Sequence, residues 1–392
     1  MVVRDGSYPF RGPSVTCSKG GYRPATDQLT VTRTYLHPMT DSELESEYEV
    51  AVVGGGPAGL TAALYTTRLG HDTVVINRGG GRAAMMLDTH NVIGVTEDVS
   101  GNEFLRTAQQ QVQAYGADYH RDFVSDAERL EDGRIRLGAS DAEVVVDHVV
   151  LATGFSDVKP DPPLPRTGRG LHWCLHCDAY MFVDQPVWVM GTGEAAAKVA
   201  MIMLNFTDEV DLLTRGDEPE WSEETDRQLA AHPVDIIHED VAEIEKGEDG
   251  WLEALVFEDG RRRAYRGGFP MYGSDYNTDL AEQLGVELND DGTVAVDDHG
   301  HTSVEGVSAV GDVVPGHNQI PVAMGQGAKA GIGIHYRLRE YPRPLDEIES
   351  EGEVTTDQVP GISGRMRERA REHNADAAAP PVETGETSSA DD

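Results

Sequence analysis

Two of the chain's three cysteines fall in the run Trp173-Cys174-Leu175-His176-Cys177-Asp178, a spacing that serves either a metal or a redox pair. One turn of chain can bring the two sulfurs within disulfide range. A tetrahedral zinc site would need two further ligands. His172 and His176 are near in sequence, although a site drawn from residues 172–177 alone would be cramped. A pair of inert core cysteines also fits the spacing. In redox work the thiolate is the nucleophile, and His176 and Asp178 offer an imidazole and a carboxyl to manage its proton. Both residues have blander uses: His176 suits a solvated turn, and Asp178 suits the cap of a following helix.

Such a pair must be carried by defined elements, and glycine-rich turns lie on both sides of it. Residues 48–53 are apolar, Gly54-Gly55-Gly56-Pro57-Ala58-Gly59 turns, and residues 60–69 continue helically. This is G-x-G-x-x-G between strand and helix, where the glycines permit a tight turn and the helix N-terminus faces a pyrophosphate. A second strand over 72–76 ends at Asn77. An acidic residue is expected there for a ribose hydroxyl, and an amide can still hydrogen-bond without charge assistance. Residues 144–151 read as one or two strands entering Ala152-Thr153-Gly154, followed by an extended linker at Pro160, Pro162, Pro163 and Pro165.

A second unit follows, with a strand over 186–190, the turn Gly191-Thr192-Gly193-Glu194-Ala195-Ala196, a helix over 194–206 and a strand over 210–213. The alternation predicts doubly wound parallel sheets. The second turn has the G-x-G-x-x-A form, though a helix start without a ligand fits it too. Arg215 is a single base where a 2′-phosphate would need several. Asp217 and Glu218 would repel that phosphate, and Glu194 would put negative charge toward a pyrophosphate. Near the end, Ser308-Ala309-Val310-Gly311-Asp312 closes a strand. In flavoprotein reductases an aspartate in this setting binds the ribityl hydroxyls of the flavin, while a structural cap is the alternative. Lodged between two mononucleotide folds, the cysteine pair reads as a dithiol that takes electrons from a flavin.

The formal charge of −37, from 69 acids against 32 bases, runs through the whole body. Lysine occurs only at Lys19, Lys159, Lys198, Lys246 and Lys329, which reads as adaptation to a high-salt cytoplasm, where screening relieves self-repulsion. The charge argues against a nucleic-acid partner. No apolar run approaches the roughly 18 residues of a membrane span, and no signal peptide is visible. Three cysteines make no disulfide framework, so a cytoplasmic chain is expected. Residues 1–38 are basic and aperiodic and read as a disordered or artefactual extension, with translation starting at Met39 and no role for Cys17. Residues 341–392 read as an acidic disordered tail with a short helix near residues 365–372.

Over about residues 48–340 these motifs together resemble the low-molecular-weight thioredoxin reductase family. They occur in a consistent order that includes Gly80-Gly81, Asn91-Val92-Ile93-Gly94, Ala152-Thr153-Gly154 and Gln319. Cys-x-x-Cys-Asp shortly before the second fingerprint is the specific feature. The resemblance implies an α/β protein of two Rossmann-like dinucleotide-binding domains, the second inserted into the first. Residues 40–157 and 274–340 would bind FAD, and residues 158–273 would form an NAD(P)H-binding-like domain carrying the dithiol. It also implies a homodimer whose two domains swivel against each other.

By that resemblance Cys177 is the sulfur nearest the flavin, Cys174 attacks the target disulfide, and Asp178 is the general acid. Gln319, Ile320 and the helix beginning near Pro321 would lie against the flavin ring. Electrons would pass from NADPH through FAD and the dithiol to a thioredoxin-like protein. The family's NADPH users carry His-Arg-Arg where this chain has Thr214-Arg215-Gly216. NADH, ferredoxin or a deazaflavin therefore remain alternative donors. A flavin-bearing redox sensor that signals through the acidic tail is the reading from another functional class.

Overall fold

The computed structural model describes residues 44–140, 142–160 and 167–375. The expectations for Met39, Cys17, the linker prolines Pro162, Pro163 and Pro165, and the end of the tail lie outside the described residues.

The first sheet starts with β1 (Glu47–Val53), α1 (Pro57–Arg68), β2 (Thr73–Ile76), α2 (Gly101–Ala114) and β3 (Asp118–His120). It continues through β4 (Val124–Arg129), β5 (Ile135–Ala139) and β6 (Glu143–Leu151), and β7 (Phe155–Asp157) then leads away. Strands β3, β2, β1 and β6 are parallel neighbours in that order, while β5 and β4 run antiparallel on the far side. Residues 144–151 are thus one strand. The parallel strands β1, β2 and β6 bury apolar residues on both faces because both are covered: Ala51, Ile76 and Leu151 on one side, Val50, Val75 and Val150 on the other.

The inserted unit contains α3 (Leu175–Asp178), β8 (Val187–Met190), α4 (Glu194–Met203), β9 (Val210–Leu213), α5 (Glu223–Ala230) and β10 (Asp235–Ile237). An antiparallel trio, β11 (Val241–Lys246), β12 (Leu252–Phe257) and β13 (Arg262–Ala264), precedes β14 (Gly267–Pro270). The second parallel sheet has the order β10-β9-β8-β14. The chain returns through β15 (Ser274–Tyr276), which pairs antiparallel with the departing β7, Tyr276 opposite Phe155. After α6 (Asp279–Gln283), β16 (Val307–Ala309) enters the first sheet beside β6. The fold is therefore two Rossmann-like units, the second interrupting the first.

Helix α7 (Ile320–Arg339) lies across α1, and glycine sets the spacing. A Cβ on Gly327 would stand 2.2 Å from the Ala58 carbonyl oxygen. One on Gly59 would stand 2.0 Å from that of Gly54, so α1 starts hard against its own strand. Pro57 opens α1 where no backbone donor is needed.

Beyond α7 the chain forms α8 (Leu345–Glu351), where a disordered tail was expected, and α9 (Gly364–Ala375), where the sequence suggested a short helix. The cause is a set of specific anchors. Arg365 pairs with the buried Asp118 and with Glu45 and Asp72, Arg369 also reaches Asp118, and Met366 is buried. These arginines complete a carboxylate that also accepts from Tyr48 Oη at 2.9 Å.

Helix α7 is also tied to β1. Glu49 accepts from the Asp72 N–H at 2.9 Å, lies 3.3 Å from His71 Nδ1 and pairs with Arg339. Burial pushes its carboxyl up, but these partners outweigh it and hold the carboxyl at about 2. The lowered value means stability fully present above the ordinary value near 4.5 and lost as pH falls toward 2. Urea midpoints measured against pH should show Glu49→Gln flattening the acid limb in that window, by on the order of 2–3 kcal/mol.

Candidate active site

Leu171 bridges Gly268 of β14, and the His172 N–H donates to the Gly268 carbonyl at 3.0 Å. The chain then turns into α3. Cys174 caps this short helix, its Sγ accepting from the Cys177 N–H at 3.1 Å. That turn brings the Cα atoms to 5.3 Å, and Cys174 and Cys177 are joined in a disulfide. His172 Nδ1 donates to Asp178 Oδ2 at 3.0 Å. Asp178 Oδ1 lies 3.5 Å from His90 Nδ1.

The disulfide opens onto a cavity of about 1100 Å³ lined from both units. Asn91 Nδ2 is 3.5 Å from Cys177 Sγ and donates to Gln319 Oε1 at 2.7 Å. Gln319 Nε2 stands 3.3 Å from Cys174 Sγ and 3.8 Å from Cys177 Sγ. Gln319 is the N-cap of α7, so one helix end delivers Gln319 to the dithiol and Ile320 to the same cavity.

The rest of the cavity is a backbone-lined groove. Gly54, Gly56, Pro57 and Ala58 line it at the head of α1, Asn77, Gly80 and Gly81 after β2, and Ala152, Thr153 and Gly154 after β6. Gly311 and Asp312 line it after β16. Gly54 has φ +113°, and a Cβ there would strike the Ala152 carbonyl oxygen at 2.2 Å. Around Gly56, Gly80, Gly81 and Gly154 an added Cβ would meet nothing within 4 Å. Asn77 Nδ2 donates to Tyr119 Oη at 2.7 Å. The volume exceeds that of ordinary small-ligand pockets, and open glycine faces at a helix N-terminus suit a pyrophosphate.

Arg82, which the motifs did not single out, binds Asp157 at 2.8 Å through Nε and approaches Asp312 at 3.8 Å. It also lies 4.6 Å from the centre of the Phe155 ring. Burial raises the Asp312 carboxyl, with Arg82 opposing and Asp157 adding to the shift. The position of Arg82 directly after Gly79-Gly80-Gly81 was its only sequence signal. His90, just before Asn91, was missed for lack of any motif.

The second fingerprint lies apart. Gly59, Gly191 and Gly193 do not line this cavity, and Arg215 lines a separate one of about 280 Å³ with Asp217, Asp240 and Tyr272. Glu194 was expected to face a pyrophosphate. It turns instead to α5, accepting from Ser222 N–H at 2.6 Å and Thr225 Oγ1 at 2.7 Å. The Ser222 N–H is a donor that the α5 N-terminus leaves unpaired, and with the Thr225 hydroxyl it holds the carboxyl at about 2. Arg215 Nε binds Asp240 at 2.7 Å and its side chain is 8 % exposed.

The model of the pyridine nucleotide-disulphide oxidoreductases matches residues 48–327. The chain belongs to that family. This oxidoreductase is 30% identical over 305 residues to a thioredoxin reductase of Peptoclostridium acidaminophilum, covering 73% of this chain and 96% of that one. It is 30% identical over 304 residues to an NADH dehydrogenase of Bacillus subtilis, covering 74% of this chain and 59% of that one. The crystal structure of thioredoxin reductase from Streptococcus pyogenes overlays with a TM-score of 0.70 at 29% identity, covering 76% of this chain and all of that one. Membership makes this chain a flavin-dependent disulfide oxidoreductase of the thioredoxin reductase type and implies FAD and a nicotinamide cofactor.

Proposed function

We propose that this oxidoreductase passes electrons from a nicotinamide cofactor through FAD and the Cys174/Cys177 dithiol to a thioredoxin-like protein. The observation that carries this reading is the disulfide at the mouth of the glycine-lined cavity, in contact with Asn91 and Gln319. Gly54, Gly56 and the head of α1 would hold the pyrophosphate, Asn77 a ribose hydroxyl, and Asp312 the ribityl chain. Asn91, Gln319 and Ile320 would hold the ring. FAD, when bound, supplies two-electron exchange with the disulfide. Cys174 then attacks the partner's disulfide, Cys177 resolves the mixed disulfide, and Asp178 moves the proton.

The paired β7 and β15 support domain borders near residues 158 and 273 and a hinge there. The charge of −37 supports a salt-adapted cytoplasmic protein, and the family resemblance supports a homodimer.

The sequestered Arg215 sets the donor preference: NADH should serve at least as well as NADPH. Anaerobic addition of each nucleotide to the yellow protein, followed by flavin absorbance, checks this. A preference for NADPH of about tenfold or more would overturn it. A second reading, with ferredoxin or a deazaflavin as donor, is favoured by the loop that folds back over the second fingerprint. The Glu220 N–H donates to the Thr192 carbonyl at 2.8 Å there. Bleaching by neither nucleotide would select that reading.

A further inference from the structure

The two oxygens of Asp178 face different imidazoles. His172 reaches Oδ2 and His90 approaches Oδ1. The two histidines sit in opposite surroundings. His172 is 2 % exposed and packs edge-on against Phe182, ring centres 5.1 Å apart, with Phe269 at 6.1 Å. Its Nε2 is buried without a hydrogen-bond partner. A proton on Nε2 would have no acceptor, so the imidazole keeps its proton on Nδ1, aimed at the carboxyl. The His90 side chain is 26 % exposed and stands on the loop that also carries Asn91.

We propose that His172 is a positioning residue for disulfide exchange, its single tautomer fixing the Asp178 carboxyl toward the leaving sulfur while His90 supplies the replacement proton from solvent. This rests on the reading above that Asp178 is the general acid. His172 and Asp178 flank the same short turn, so their contact travels with the dithiol. The His90 contact comes from the loop at the large cavity and recharges the acid where the sulfurs meet that cavity.

The exchange balances. The Cys174 thiolate attacks a disulfide, forming a mixed disulfide, and the departing sulfur takes the bonding pair and the Asp178 proton. The Asp178 carboxylate then removes the Cys177 proton, and Cys177 displaces the second sulfur, which receives that proton. The dithiol loses two electrons and the substrate gains them. One net proton enters from solvent through His90.

The test uses the full-length FAD-loaded protein, its dithiol reduced with dithiothreitol and freed of it anaerobically, then mixed with one of two disulfides. Glutathione disulfide has a basic leaving thiolate that needs a proton. Dithiobis-nitrobenzoate has a leaving thiolate stable without one. His172→Phe, which keeps the aromatic packing and removes the donor, should slow the first exchange about tenfold or more and leave the second within about twofold. His172→Asn, whose amide N–H can stand near the Nδ1 position, should restore most of the loss. Equal slowing on both disulfides, or on neither, overturns the proposal. Should the phenylalanine variant not fold, His172→Leu is judged by the same comparison. Asp178→Asn separates the two levels. If it leaves the glutathione exchange unchanged, the general-acid reading itself fails. If it slows that exchange while the histidine variants do not, only the role of His172 falls.

Discussion

Replacing Cys174 with serine should leave a yellow, folded protein whose disulfide turnover has fallen on the order of 10³-fold or more. The loss follows from nucleophilicity. A thiolate attacks disulfide sulfur and a hydroxyl does not, and Cys177, the one cysteine then left among the described residues, has no second thiol to resolve a mixed disulfide. The flavin should stay because the groove is built chiefly from the α1 turn and the segments after β2, β6 and β16, none of which depends on the sulfur. Retained colour therefore separates a chemical defect from a folding one. Cys177→Ser should lose turnover as severely. The pair is distinguished by absorbance: a thiolate left against a flavin gives a long-wavelength band, expected in Cys174→Ser and absent in Cys177→Ser. The opposite pattern would exchange the proposed roles of the two sulfurs. Turnover near that of the native protein in either variant would remove the dithiol from the reaction.

The second large effect is expected at the α1 turn, where two glycines should fail differently. Gly54→Ala forces a side chain into φ +113° and sets its Cβ 2.2 Å from the Ala152 carbonyl oxygen, which β6 holds in place. It should destabilise the fold by about 1–3 kcal/mol and lose its flavin. Gly56 has φ −78°, which any residue adopts, and its Cβ would meet no protein atom within 4 Å. Gly56→Ala should therefore melt with the flavin-free native protein, yet hold flavin at least about tenfold more weakly. Such selectivity is expected only if the empty space at that turn belongs to the cofactor. Flavin content after gel filtration, with thermal melts of the flavin-free forms, reads both effects. Full flavin occupancy in Gly56→Ala would place the pyrophosphate elsewhere.

What the sequence revealed, and what it hid, follows from the range of each interaction. The glycine turns, the apolar strands and the cysteine spacing are local patterns whose geometry is fixed within a few residues, so they could be read directly. Gln319 and Asn91 sit 228 positions apart and meet only because the topology returns α7 to the cavity. The resemblance placed Gln319 against the flavin ring, but its hydrogen bond to Asn91 was not legible in the sequence. His90 and Arg82 carry no motif, and their partners lie far along the chain. The C-terminal helix was suggested by the sequence, but its anchoring was not: two arginines on α9 find one buried carboxylate on β3, far back along the chain. Glu194 shows how a local reading can mislead. Its place at a helix start suggests a clash with phosphate, but tertiary structure gives it the Ser222 N–H and the Thr225 hydroxyl at the head of α5.

Electron counting tests the coupling of flavin and sulfur most directly. Anaerobic titration of the flavin-loaded protein with dithionite should consume four electrons per flavin and uncover two new thiols. The variant lacking both Cys174 and Cys177 should take only two electrons. If the native protein bleached fully at two electrons and its disulfide survived, the cavity and the cysteine pair would not be working together.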